Sequence, residues 1–158
     1  MNKKISLAVF LFSLLTNALA ENEITALSDL QNKIVGQSTK ILSEFEKHHI
    51  KTKDGIYQSI WAEEYNVVDY IDVVSNTVLL FNSVSDKNNE LAKMSIWHNV
   101  SKMEKFCRLS LINLNEYTDE IKNTSVKEEV AIQTDYANKA CEGIGRLGKF
   151  YYDVLMKK

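Results

Sequence analysis

Cys107 and Cys141 are the only cysteines of this chain, and each stands 17 residues from Thr124. Asn123-Thr124-Ser125 reads as a turn, and apolar positions on both sides of it recur at alternating steps of four and three. Before the turn the seam is Ile96, Val100, Met103, Cys107, Ser110, Leu114, Tyr117 and Ile121. After it come Val130, Thr134, Ala137, Cys141, Ile144, Gly148, Tyr151 and Leu155. A 3.5-residue period is the contact line of a helix lying lengthwise against another. Folded back at the turn, the two helices bring both thiols to one height, so the spacing predicts a Cys107–Cys141 disulfide. The same register sets Val100 beside Gly148, Met103 beside Ile144 and Leu114 beside Thr134.

The rest of the chain obeys the same period. Proline is absent and there are only five glycines, so the turn punctuation that strands require every 8–12 residues is missing. A first helix is expected over residues 22–48, with Ile24, Leu27, Leu30, Ile34, Ile41 and Phe45 on one stripe. Asp54-Gly55 marks a turn. A second helix follows from Ile56 to about Ser83, with Ile60, Val67, Ile71, Val74, Val78 and Phe81 as its stripe. Tyr57, Trp61, Tyr65 and Val68 widen that stripe to about half the circumference at 100° per residue. Glu64 falls inside this arc, which requires a buried partner or a place at the rim. Ser85 to Asn89 can cap a third helix running from Glu90-Leu91 to about Lys122. Ser125 and Glu128, in capping-box spacing, open a fourth. The expected fold is all-α, a four-helix up-and-down bundle braced by one inter-helix disulfide.

Residues 1–20 read as a cleaved signal peptide rather than as part of this bundle. Lys3 and Lys4 precede an apolar run from Ile5 to Leu15, and Ala18-Leu19-Ala20 supplies the small residues of a cleavage site. The run is shorter than the roughly 20 residues of a membrane span. The expected mature chain is one helical domain, 21–158, with no stable membrane insertion after cleavage. Its destination is the bacterial periplasm, or the exterior if the source is eukaryotic. An oxidising compartment also suits a disulfide. Without Lys3 and Lys4 the chain has 17 basic against 21 acidic residues. A charge of about −4 argues against nucleic acid as a partner.

Motifs for catalysis or cofactors are few. Gly143-Ile144-Gly145-Arg146-Leu147-Gly148 matches G-x-G-x-x-G in letters, but the dinucleotide fingerprint needs a strand before it, and Ala137 to Glu142 is in helical register. The glycines are better read as permitting close helix packing or a break near Gly143. His48 and His49 end the first helix and His98 lies about three turns into the parallel third, a height difference of roughly 25 Å. No C-x-x-C-H or paired Glu-x-x-His motif is present, and Met94, Met103 or Met156 would have to serve any haem. Glu63-Glu64, Asp119-Glu120 and Glu128-Glu129 are adjacent carboxylates, which point in different directions on a helix and are usually solvated. The expectation is a protein without catalytic, metal or cofactor residues.

Apolar surplus points instead to a partner. Helix 3 carries a second set, Leu91, Met94, Trp97, Phe106, Leu109 and Ile112, away from its seam, with Lys102, Lys105 and Arg108 as a basic fringe. Either helix 3 is central, packed by helices 1 and 2, or this face meets a second subunit or a partner. Trp61 and Tyr65 at the edge of helix 2 suit an interface anchor. Asp119, Glu120, Glu128 and Glu129 form an acidic tip around the last turn. These features fit an exported inhibitor or immunity protein that neutralises a toxin or secreted enzyme. The alternatives are a periplasmic helical chaperone for unfolded clients and a cofactor-binding bundle.

Overall fold

The computed structural model describes residues 2–51, 55–86 and 89–153, with side chains described from residue 18 onward. Four helices follow in order: α1 (Asn2–Lys47), α2 (Ile56–Ser83), α3 (Glu90–Glu120) and α4 (Thr124–Tyr151). No strand occurs among the described residues. Neighbours run antiparallel in steady register. Across α1 and α2, Gln31 donates to Asp72 and Ser38 to Glu64. Between α2 and α3, Asn113 donates to Glu63 and Tyr70 lies against Phe106. Between α1 and α4, Gln37 donates to Glu129 and Arg146 to Glu23. The order around the bundle is the order of the chain, with α1 and α3 on a diagonal and not in contact.

Each helix buries the stripe that its spacing defines. In α2 the sequence Ile60, Glu64, Val67, Ile71, Val74, Val78, Phe81 is buried without exception, a four-three alternation with a carboxylate in one of its seven places. In α1, Ala20, Leu27, Ile34 and Ile41 fall seven apart and are all buried. Each fully buried Leu or Ile contributes about 1.5–3 kcal/mol relative to its exposed state, so these stripes dictate which face of each helix turns inward.

The disulfide stands where the spacing places it. Cys107 and Cys141 are bonded with their Cα atoms 5.5 Å apart, and both are fully buried. The register extends along the helices: a Cβ built on Gly148 would lie 3.6 Å from Val100 Cγ1. Further toward the turn, the hydroxyls of Thr118 and Thr134 are 3.5 Å apart.

Three expectations need correction. Helix α3 is not central: it packs only on α2 and α4, whereas α2 and α4 each touch all three other helices. A second row on α4, Val126, Gln133, Ala140 and Leu147, is buried beside the seam that carries Cys141. The two rows together span roughly 140° at 100° per residue. Second, α4 is capped by Asn123, whose side chain accepts from the Val126 N–H. Ser125 is drawn away from a capping box because its hydroxyl donates to Glu44 of α1 at 2.6 Å. Third, α1 is continuous from Asn2 through the 20/21 position instead of starting at residue 22. Helix α4 does not break at Gly143; it runs on to Tyr151. Leu155 and Met156 lie outside the described residues, as do Asp54, Lys87 and Asn88.

The ends are locally determined. Helix α1 stops in a paired 6→1 and 5→2 arrangement, Ile50 N–H to Phe45 C=O and His49 N–H to Glu46 C=O. His49 takes the left-handed conformation, φ 55°, that this stop requires. Gly55, at φ 96°, turns the chain into α2, which fits the Asp54-Gly55 signal. Asn89 caps α3 by accepting from the N–H groups of Leu91 and Ala92.

Candidate binding surfaces

On the α1–α2 side, the structure brings together a buried carboxyl and two exposed rings. Trp61 and Tyr65, one turn apart on α2, stack at 5.9 Å between centroids. Both are more than half exposed. With Val35 of α1 and Val68 of α2 they wall a pocket of about 260 Å³, whose polar lining is Glu64 and Ser38. Glu64 is only 4 % exposed. Its Oε2 lies 2.5 Å from Ser38 Oγ, and its Oε1 has no hydrogen-bond partner. Burial pushes this carboxyl up to about 7, with the Ser38 hydrogen bond opposing the shift. Ser38 Oγ is also 3.1 Å from the Ile34 carbonyl. The single Ser38 hydroxyl proton is thus shared between the Ile34 carbonyl and Glu64 Oε2. The next residue, Glu63, is half-buried and accepts from Asn113 and Asn66. The Glu63-Glu64 pair is thus divided between two interfaces and is not a solvated pair.

The outer face of α3 is the second surface. Leu91 is 78 % exposed, Met94 52 %, Leu109 56 % and Ile112 55 %. At 100° per residue they share a stripe with His98, Lys102 and Lys105, which lie between the two apolar ends. Phe106 lies at its edge, 6.0 Å from Tyr70 of α2 and under the Lys102 ammonium at 5.6 Å. No helix of the bundle covers this stripe. Trp97 belongs elsewhere: it is half-buried and leans on Tyr152, the residue that follows α4, at 5.9 Å.

Between α3 and α4 the surface dips into a groove of about 600 Å³ lined by Trp97, Glu104, Arg108, Glu142, Arg146 and Tyr152, among others. Its arginines are engaged within the fold: Arg108 with Glu104 at 2.9 Å, and Arg146 with Glu23 at 2.6 Å. The Glu23 contact raises the Arg146 pKa further above its usual range. The three glycines serve this packing. Gly143 faces α1, where a Cβ would come within 2.8 Å of Glu23 and 3.0 Å of Leu27. Gly145 and Gly148 face Glu104 and Val100 of α3. They lie inside one uninterrupted helix, with their amides bonded along it, so they form no phosphate-cradling loop.

The acidic residues near the α3–α4 turn have separate fates. Asp119, Glu120 and Glu128 are exposed, with Asp119 paired to Lys127 at 3.4 Å. Glu129 is held by Gln37 of α1, whose amide donates to both its carboxylate and its backbone carbonyl. Glu44 joins this end, its carboxyl held below the usual range first by the Ser125 hydroxyl and then by Lys47. The aromatic, apolar and acidic residues singled out by spacing therefore occupy distinct places and not one contiguous patch. Among the described residues, no three His, Cys, Asp or Glu side chains are grouped so as to hold a metal ion. No helix among them is long and apolar enough to cross a membrane. Comparison of the chain with protein-family models, with curated proteins and with solved structures finds no match.

Proposed function

We propose that this protein is an exported, non-catalytic binding protein that neutralises a toxin or secreted enzyme, engaging it through the outer face of α3. One observation carries the reading: four large apolar side chains, Leu91, Met94, Leu109 and Ile112, stand more than half exposed on one stripe of a helix that the rest of the bundle leaves uncovered. Scattered surface hydrophobes are ordinary, but an aligned row favours a partner. Lys102 and Lys105 in the middle of the row suit an acidic centre on that partner, flanked by apolar pockets. The disulfide and the wide burial of α4 make a rigid body, which lowers the entropy cost of presenting such a face.

Export is supported by the leader pattern and by helix length. Helix α1 has 46 residues, whereas α2, α3 and α4 have 28, 31 and 28. Removal of residues 1–20 would leave 27 residues of α1, a length matched to its neighbours. Glu21 and Glu23 would then stand in its first turn, where negative charge is favourable.

The test uses the mature chain and any secreted hydrolase or toxin found to be encoded beside its gene. Co-purification at fixed stoichiometry with loss of that enzyme's activity is the expected result. No complex and unaltered enzyme activity would overturn the reading. So would suppression of aggregation across unrelated unfolded proteins, which is the behaviour of a chaperone.

A further inference from the structure

The pocket between α1 and α2 is separate from the α3 face and has a chemistry of its own. Glu64 sits in the interior half of the α2 stripe, yet one of its oxygens, Oε1, has no partner in the fold. No lysine, arginine or histidine of the described residues forms an ion pair with it. A buried carboxyl without a cation is costly, and an apolar residue at position 64 would complete the stripe. Trp61 and Tyr65 line the same pocket, stacked on each other and open to solvent. Aromatic faces attract cations through their quadrupoles. A carboxylate in one pocket with two aromatic rings and two valines is therefore complementary to an ammonium group on a short apolar body.

We propose that this pocket is a binding site for a small organic amine. Glu64 Oε1 is buried and unpartnered in the fold; it accepts from the ammonium N–H groups once the carboxyl turns toward the pocket as the amine enters. The hydrocarbon body lies against Trp61, Tyr65, Val35 and Val68. The volume of about 260 Å³ is below the usual range for drug-sized ligands and suits an alkylamine of about six carbons. Ser38 retains its hydrogen bond to Oε2 and keeps the carboxyl oriented. No covalent step is involved.

The experiment is a fluorescence titration at pH 8 with three probes of equal chain length: hexylamine, 1-hexanol and hexanoate. The chain has two tryptophans, so W97F makes Trp61 the sole reporter. Hexylamine is expected to bind at least tenfold more tightly than hexanol, and hexanoate more weakly than either. E64Q, which preserves shape, is expected to abolish the preference for amine over alcohol while retaining the hexanol affinity. Equal affinity for amine and alcohol in the W97F protein, or no saturable response to hexylamine, would overturn the proposal without requiring the E64Q protein to fold. The result is independent of whether the α3 face binds a protein.

Discussion

Ser38 Oγ and Glu64 Oε2 meet across the α1–α2 interface at 2.5 Å, and theirs is the one side-chain hydrogen bond that a buried carboxyl of the α2 stripe makes. The folded chain holds a proton on Glu64 up to about pH 7, against an ordinary value of 4.5. The unfolded chain releases that proton at the lower value. Stability from this group is accordingly complete below about pH 4.5 and falls as pH rises through 7, by about 2–4 kcal/mol in all. Melting curves of E64Q should show little change at pH 4 and a clear rise at pH 8. A pH profile unaltered by E64Q would contradict this assignment.

The disulfide closes a loop across a sequence separation of 34 residues, which in the chain-entropy model contributes about 3–4 kcal/mol. Reduction, or the paired C107A and C141A substitutions, should lower the melting temperature by roughly 10 °C. The helical circular dichroism should persist, because the seams remain. In native material, alkylation followed by intact mass should find no free thiol.

Glycine substitutions separate propensity from packing. Gly36 lies within α1 with no atom within 4 Å of a built Cβ, so G36A should stabilise by about 0.5–1 kcal/mol. Gly143 offers the same gain in propensity, but its Cβ would press on Leu27 Cδ2 at 3.0 Å, and Leu27 is fully buried. G143A should forfeit the gain and melt at or below the parent temperature. Chemical denaturation of the two variants side by side checks the contrast.

The four-three spacing was sufficient to predict the bundle, the disulfide and the ends of α2. Those features follow from which side chains avoid water, and the period records that directly. Less legible was how wide a face α4 buries. Gln133 and Ala140 belong to its second buried row, but a polar amide and a small methyl do not read as a stripe. The cap at Asn123 was obscured because Ser125 has an equally good local pattern and is diverted by Glu44, 81 residues away in sequence. Glu64 was legible in part: its place between Ile60 and Val67 marks it as interior, but only the fold supplies Ser38 and the aromatic pair above it. The exposure of the α3 row depends on α1 standing on the opposite diagonal, which no local pattern encodes.

The claim that the α3 face is what this protein presents to a partner is tested most directly by protection. Cells exporting the wild-type chain or the double variant L109E and I112E would be challenged with the toxin or enzyme that co-purifies with the mature chain, after melting curves show both chains equally folded. Survival is expected with the wild type, and at least a hundredfold loss of viable cells with the double variant. Equal survival with both proteins, or equal killing with and without the wild type, would contradict it.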